Sequence, residues 1–385
     1  MALNYIFRKT LPSAFSRLFC RPRFPVEALQ NQWFCTTRLT GSSSDDFTVS
    51  YLVNSCGLSP EAAIKASHKV KLQSLVKPDS VLALLREYEF SDSQISTVVR
   101  RYPRLVLADG KKTLLPKLAF FCSIGMSRLD LARTLSYNPI LFTRSLKNCI
   151  IPCYTFLRSV VLSDFKVVNI WKRHSWIFGA ILSKNVIPNI GLLRELGVPQ
   201  SSITLLVTYH AEIVMRKPES FSELVGEVEQ LGFDPQKSSF VHAMHALYGK
   251  KTTWRRNEEA YRRWGWSDND ILSAFRLCPL CMIKSEKKIM ETMDFLVNKM
   301  GWKLGKLAKF PYVFLYSLEK RIIPRCSVVR VLLLKGLMKE DKLSLATIIT
   351  TSEKYFLNMF VTRYLDRVPQ LSNVYQGKAK YSLIL

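Results

Sequence analysis

The 385-residue chain carries 56 Lys and Arg against 30 Asp and Glu, a net charge of +26. This excess of cations favours an anionic partner, with nucleic acid ahead of an anionic membrane surface. No apolar run reaches about 18 residues, so the sequence predicts no membrane-spanning helix. The nine cysteines follow no framework, which argues against a disulfide-stapled secreted domain.

Residues 1–46 differ in composition from the rest of the chain and predict an organelle transit peptide followed by a polar linker. The segment is rich in Ser, Leu and Phe and has no acidic residue before Glu27. Arg8 and Lys9 alternate with Phe and Leu near the start, which favours the mitochondrion over the chloroplast. The rest of the chain keeps 50 basic and 27 acidic residues, a net +23, so the folded body is also basic.

Short apolar motifs then recur along the chain and predict a helical repeat of about 35 residues. The motifs centred on Pro103, Pro139, Ser175 and Ala211 are 36 residues apart, and those at Pro279 and Pro311 are 32 apart. We call these central residues the anchors. A second proline follows several anchors by 13 residues, and a serine precedes several by 12. The second prolines are Pro116, Pro152, Pro188 and Pro324, and the serines are Ser91, Ser127, Ser163 and Ser267.

Each serine is an expected helix N-cap, since its hydroxyl can accept from an unpaired backbone N–H. Gln94, Asp130 and Asp270 stand three residues after serines and predict capping boxes. Glycines that close the units are expected helix terminators. They are Gly125, Gly197, Gly232, Gly265, Gly301 and Gly336.

One repeat is therefore expected to hold a capped first helix, a break or short helix at the anchor, and a second helix with the second proline in its first turn. No strand pattern of comparable strength appears. Because such a unit cannot bury its apolar face alone, stacking is expected. The prediction is an all-α, right-handed or curved superhelical solenoid of about eight repeats over residues 47–371, with a C-terminal tail over 372–385.

These offsets resemble those of the mitochondrial transcription termination factor (mTERF) family, and the stretch from Tyr51 to Val106 is similar to its plant branch. The resemblance implies a superhelix of three-helix repeats, organelle targeting and nucleic-acid binding in organelle gene expression. Departures occur at Glu89, where the pattern usually has glycine, and at Ser175, Ala211 and Leu247, which replace the anchor proline.

Basic residues recur at fixed repeat positions, which predicts rows of cations along a stack of repeats. Such rows would neutralise phosphates and release counterions, whereas the alternative is a solvated face that keeps the protein soluble. Nine and eight residues after the anchors lie Lys112, Lys184, Arg256, Lys288 and Lys320, and Lys111, Lys147, Arg255 and Lys287. A second set precedes the anchors and comprises Arg100, Arg101, Lys172, Arg173, Arg276 and Lys309.

Other motifs give weaker signals. Cys278 and Cys281 have the C-x-x-C spacing of zinc or redox sites, but Cys281 falls on a repeat position that is apolar in other units and is expected in the core. His242 and His245 lack the spacing of a metalloprotease helix. The tryptophans of segment 250–266 suit either base stacking or the core. We therefore expect no enzyme activity, no cofactor and no metal.

The leading functional prediction is a nucleic-acid-binding factor that regulates or terminates organelle transcription and holds duplex DNA in a basic groove, as a monomer. One alternative is an RNA-binding factor for intron splicing or transcript maturation in the organelle. A second alternative, from another class, is a helical scaffold for protein–protein contacts, which would not need cations at fixed repeat positions. The sequence leaves DNA and RNA open as partners.

Overall fold

The computed structural model describes residues 43–248, 251–339 and 344–378. These residues form α-helices joined by 3-10 and π turns and contain no strand, which confirms the predicted all-α helical repeat solenoid. They fall into two compact units, one ending at Phe221 and the other beginning at Ser222.

The predicted terminal segments fall mostly outside this description. Of residues 1–46, only the start of the helix Ser43–Asn54 is described. At the other end, the helix Leu371–Tyr375 enters the predicted tail, and residues 379–385 lie outside the described part.

Nine repeats with two main helices each follow one another through the described residues. The first helices of repeats 1 to 9 are Pro60–Ser67, Asp92–Arg101, Arg128–Tyr137, Asp164–Arg173, Gln200–Tyr209, Ser238–Tyr248, Asp268–Leu277, Leu304–Ala308 and Leu345–Thr350. The second α-helices are Val76–Glu87, Leu115–Ser123, Ile151–Val161, Ile187–Glu195, Pro218–Gln230, Lys251–Arg263, Glu286–Met293, Ile323–Leu334 and Glu353–Phe356. Repeats 1 to 4 lie in the unit ending at Phe221, and repeats 6 to 9 lie in the other.

The predicted serine caps are present, with one correction to the predicted boxes. Each of the four serines accepts a hydrogen bond from the backbone N–H three residues later. Reciprocal capping boxes form at Ser91 and Ser267. The box predicted at Ser127 is wrong in its second half, because the Asp130 carboxylate bonds Lys172 Nζ at 2.8 Å instead of the backbone of Ser127.

The anchor prolines start short 3-10 turns, which are the predicted third helical element. These turns are Pro103–Leu107, Pro139–Thr143, Pro279–Ile283 and Pro311–Leu315. The fixed φ of proline suits the first position of such a turn. Where Ala211 replaces proline, a short α-helix Ala211–Val214 forms. Where Ser175 replaces it, the chain makes a single turn, in which the Ile177 N–H donates to the His174 carbonyl at 3.1 Å.

The second prolines are the second residues of α-helical segments, as predicted, but a π turn opens each of these second helices. The π turns are Gly110–Leu114, Leu146–Ile150, Leu182–Val186 and Leu318–Ile322. In each, the N–H of the residue before the proline donates to the carbonyl five residues back. Proline has no N–H and its ring crowds the carbonyl four residues back, so a widened turn accommodates it. The π turns Asp294–Lys299 and Leu357–Val361 occur without proline, and the 3-10 turn Thr362–Tyr364 completes the elements.

Aromatic side chains fill the core between the first and second helices. In the unit ending at Phe221, the buried Trp171 packs edge-on against Phe121 at 5.3 Å and stacks on Phe178 at 5.2 Å between ring centroids. In the other unit, Trp254 and Trp266 are buried, so core packing is the correct interpretation of these two tryptophans. First helices of neighbouring repeats contact each other, as Asp92–Arg101 and Arg128–Tyr137 do.

Candidate nucleic-acid interface

The row of cations after the anchors lies in the first turn of the second helices. Asp109 accepts from Lys112 N at 2.8 Å, and Ser317 accepts from Lys320 N at 3.2 Å. These two caps, which stand six residues after the anchors, fix where their helices begin, whereas Ile181 at the same position before Lys184 makes no side-chain cap. Lys112, Lys184 and Lys320 are each the third residue of the π turn that opens the helix.

Neighbouring members of the row occupy the same turn. Lys111 and Lys147 are the second residues of their π turns, and Lys287 and Lys288 are the second and third residues of Glu286–Met293. Repeat 6 departs from this arrangement, because Arg255 and Arg256 lie beyond the first turn of their helix. All members of the row are exposed except the half-buried Lys288.

Cations in the first turn of a helix are electrostatically unfavourable for the free protein. The helix macrodipole places partial positive charge at the amino end, where a cation costs about 0.3–1 kcal/mol instead of stabilising. Burial and the neighbouring Lys284 lower the pKa of Lys288, so the surroundings of this lysine also disfavour its charged form. The repeated placement of lysine at this position therefore does not come from helix stability, and an anion would relieve it.

The set before the anchors lies at the carboxyl ends of the first helices, where the dipole favours cations. Several of these side chains also bind another repeat. Arg101 donates to the carbonyls of Ser136 and Tyr137, and Arg276 Nε donates to the Leu231 carbonyl at 3.1 Å. The exposed Arg100 and Lys309 have no such contact with a described residue.

Three of the predicted residues have acidic neighbours that partly neutralise their positive charge. Lys172 Nζ lies 2.8 Å from Asp130, and this hydrogen bond holds the pKa of the Asp130 carboxyl below its usual range. Arg256 lies 3.8 Å from Glu286, and Lys287 lies 3.8 Å from Glu291. In contrast, Lys111, Lys112, Lys147, Lys184, Arg255 and Lys320 form no ion pair with a described residue.

The structure adds residues that the repeat register did not single out. Lys65 and Lys69 line a hollow of about 490 Å³ together with the predicted Arg100. Tyr137, Trp176 and Tyr209 are exposed aromatic residues near Arg101 and Arg173. The signal for Tyr137 and Tyr209 was present in the sequence, because both stand two residues before an anchor position, as Arg101 and Arg173 do.

The C-x-x-C segment belongs to the core. Cys278 and Cys281 are both buried, and burial raises the pKa of both thiols. The Cys281 carbonyl accepts from the buried Tyr261 hydroxyl at 3.1 Å. Within the described ranges, no group of three or more His, Cys, Asp or Glu side chains is arranged to hold a metal ion.

Over the same part of the chain, no helix combines the length and apolarity that crossing a membrane requires.

Comparison with known proteins places these features in a family. The sequence model of the family described as mTERF matches residues 82–248 and 242–357. The chain is 23% identical over 309 residues to "Transcription termination factor MTEF18, mitochondrial" of Arabidopsis thaliana. The aligned region covers 72% of this chain and 55% of that protein.

Two further Arabidopsis thaliana proteins are similar over different extents. "Transcription termination factor MTERF8, chloroplastic" is 22% identical over 274 residues, which cover 69% of this chain and 54% of that protein. "Transcription termination factor MTERF15, mitochondrial" is 32% identical over 102 residues, 26% of this chain and 22% of that protein. The chain spans about half the length of MTEF18 and MTERF8.

Proposed function

The chain belongs to the mTERF family, and from this premise we propose that it binds nucleic acid in an organelle and regulates or terminates transcription there. Its partner is duplex DNA, which it binds as a monomer and without catalysis. The relatives named transcription termination factors support this role for the chain.

One observation carries the proposal, namely the lysines at the amino ends of the second helices. Lys112, Lys184 and Lys320 are exposed, form no ion pair with a described residue, and add their charge to the positive end of a helix. A phosphate placed against such a turn meets both the ammonium group and the helix dipole. A helical scaffold for protein partners would gain nothing from this placement.

The proposed mechanism is electrostatic. Each lysine that approaches a phosphate releases a condensed counterion, so the affinity depends steeply on salt. These contacts position the protein along the strand and carry no direct sequence information. The second set, at the ends of the first helices, supplies further cations such as Arg100 and Lys309.

The salt dependence of duplex binding tests the proposal. If about five phosphates are neutralised, the logarithm of the binding constant should fall against log salt with a slope of about −4 to −5. An amino-end triple variant, Lys112→Ala, Lys184→Ala and Lys320→Ala, should flatten this slope by about one for each lysine that contacts a phosphate. Fluorescence anisotropy with the full chain at about 50–200 mM salt measures it.

A matched control removes the same charge from the other ends of helices. Arg194 and Lys299 lie in last turns, where Lys299 also lies 3.5 Å from Asp294, and Lys335 is the C-cap of Ile323–Leu334. The carboxyl-end triple variant, Arg194→Ala, Lys299→Ala and Lys335→Ala, should keep the wild-type slope within about one unit. Equal flattening by both variants would show that the row of lysines acts only through the net charge of the protein. Absence of salt-dependent binding by the wild type would favour the helical scaffold.

We also infer that residues 1–46 direct the protein to the mitochondrion. Their basic, acid-poor composition supports import into an organelle. The relatives carry both organelle names, mitochondrial for MTEF18 and chloroplastic for MTERF8. A fusion of this segment to a fluorescent protein distinguishes the two, and a plastid signal would overturn the assignment.

A further inference from the structure

Arginine and tyrosine alternate at one position in four consecutive first helices of the unit ending at Phe221. The last residues of the first helices in repeats 2 to 5 are Arg101, Tyr137, Arg173 and Tyr209. The Arg101 guanidinium lies 5.8 Å from the Tyr137 ring centroid, and the Arg173 guanidinium lies 5.5 Å from that of Tyr209. Each arginine therefore holds the tyrosine of the following repeat by a cation–π contact.

These rings face solvent although they are large and partly apolar. Tyr137 is 68% exposed and Tyr209 is 54% exposed. A third ring, Trp176, is 47% exposed and lies one residue after Ser175, at the anchor position where serine replaces proline and no 3-10 turn forms. We call Tyr137, Trp176 and Tyr209 the ring set.

Two hollows adjoin the ring set, and Tyr137 and Trp176 line both. The first, about 510 Å³, also contains Arg101, Ile140 and Arg144 in its wall. The second, about 490 Å³, contains Arg133, Lys172 and Arg173. Volumes of about 300–1,000 Å³ are typical of sites that take a small organic group.

The charge around the hollows is positive. The one acidic residue that lines them, Asp130, is paired with Lys172, and the nearby Glu212 lies 3.2 Å from His174 Nε2. Arg133, Arg144 and Arg173 form no ion pair with any residue in the described ranges. Flat rings beside arginines that form no ion pair match the two parts of a nucleotide, the base and the phosphate.

We propose that the ring set is a stacking surface for a single nucleic-acid strand, with unpaired bases on Tyr137, Trp176 and Tyr209 and phosphates on Arg133, Arg144 and Arg173. This inference rests on the proposed function and adds an unpaired strand to the duplex as a ligand, since bases paired inside a duplex do not present their faces to such rings. Stacking tolerates any base, so the surface should distinguish single strands from duplexes but not one sequence from another.

Binding of single strands and of the matching duplex by the full chain tests the proposal. Probes are labelled single-stranded RNA, single-stranded DNA of the same sequence, and the duplex. A variant with Tyr137→Ala, Trp176→Ala and Tyr209→Ala should lose about 10-fold or more in single-strand affinity and less than about 3-fold in duplex affinity, because each stacked base contributes about 1–3 kcal/mol. Comparing the affinities for the two single strands shows whether RNA or DNA is the preferred unpaired strand.

Two controls separate stacking from folding. Phe165→Ala removes the exposed ring at the start of a first helix, which is 74% exposed, and should leave single-strand affinity unchanged. The variant with Tyr137→Phe, Trp176→Phe and Tyr209→Phe keeps flat rings and should retain most of the affinity even if the alanine variant folds poorly.

Each outcome decides a different question. Equal losses for single strand and duplex in folded alanine variants, or a loss in the phenylalanine variant as large as in the alanine variant, would overturn the stacking surface. Salt-dependent duplex binding without single-strand binding would also overturn it and leave the proposed function standing. Absence of binding to all three probes would overturn the proposed function itself.

Discussion

Two residues occupy a backbone conformation that other repeats give to glycine. Glu89 has φ of 64° and Leu162 has φ of 56°, whereas the helix terminator Gly125 has φ of 95°. At Glu89 the following N–H, of Phe90, donates to the Leu85 carbonyl, and Met126 N–H donates to the Phe121 carbonyl in the same way. The sequence departure at Glu89 is therefore a change of residue type and not of helix ending.

Replacing Leu162 by glycine should stabilise the protein. A left-handed conformation costs a non-glycine residue about 1–2 kcal/mol, and glycine avoids this cost. Glycine also has more conformational freedom in the unfolded chain, which offsets part of the gain. Because the Leu162 side chain is 65% exposed, little packing is lost. We expect a gain of about 0.5–1 kcal/mol, seen as a higher midpoint in chemical denaturation.

The reverse substitution provides the control. A Cβ at Gly125 would meet no atom within 4 Å, so Gly125→Ala adds backbone strain without a steric clash and should cost about 1 kcal/mol. A Leu162→Gly variant that is less stable than the wild type would show that the leucine side chain contributes more than its strain costs.

At the scale of the elements, a buried or half-buried contact joins five pairs of successive repeats and was not predicted. The residue directly after each second proline donates to a carbonyl of the following anchor segment. Lys117 donates to Phe142, Cys153 Sγ to Ile177 at 3.0 Å, Asn189 to Val214 and Arg216, and Arg325 to Ile348, Ile349 and Thr351. Asn257 makes the equivalent pair of bonds, to Met282 and Lys284. These carbonyls end short helical turns and would otherwise lack partners.

The residue types explain why the helices could be predicted from the sequence and this contact could not. Serine caps, glycine terminators and proline anchors are local signals, and each recurs with the same residue type. The contact uses Lys117, Cys153, Asn189 and Arg325, which share a donor group and nothing else that a pattern search detects. The pairing of Lys172 with Asp130 was missed because the partners are 42 residues apart.

Asn189→Ala should destabilise the unit ending at Phe221. The buried amide nitrogen lies 2.9 Å from the Val214 carbonyl and 2.8 Å from that of Arg216, and its loss leaves both acceptors unpaired. We expect a loss of about 2–3 kcal/mol, or about 4–10 °C in melting temperature by circular dichroism. Asn298→Ala, which breaks an exposed bond to Asp294 at 2.8 Å, should cost less than about 0.5 kcal/mol. Similar melting temperatures for both variants would contradict this role.

At the scale of the whole molecule, the sequence predicted the positions of the cations better than it predicted the exposed aromatic side chains. The repeat register assigned Lys112, Lys184 and Lys320 to one position, and the structure places all three in the opening turn of a second helix. The register also aligns Tyr137 and Tyr209, but it could not show that their rings are exposed, because exposure depends on packing between repeats. With a net charge of +26, the free chain repels itself most strongly at low salt.

This self-repulsion gives the amino-end triple variant opposite effects on stability and on binding. Removing each lysine lowers the net charge and removes an unfavourable helix-dipole contact of about 0.3–1 kcal/mol. The free energy of unfolding of the unbound variant should therefore be about 1–3 kcal/mol higher than that of the wild type at low salt. The carboxyl-end triple variant loses the same charge from favourable dipole positions and should gain less or become less stable. Salt should erase the difference, since screening shortens the range of both terms. Thermal unfolding of the three proteins across a salt series checks this order. A lower melting temperature of the amino-end variant at low salt would mean that these lysines support the fold, and the electrostatic basis of the proposed DNA contact would fail with it.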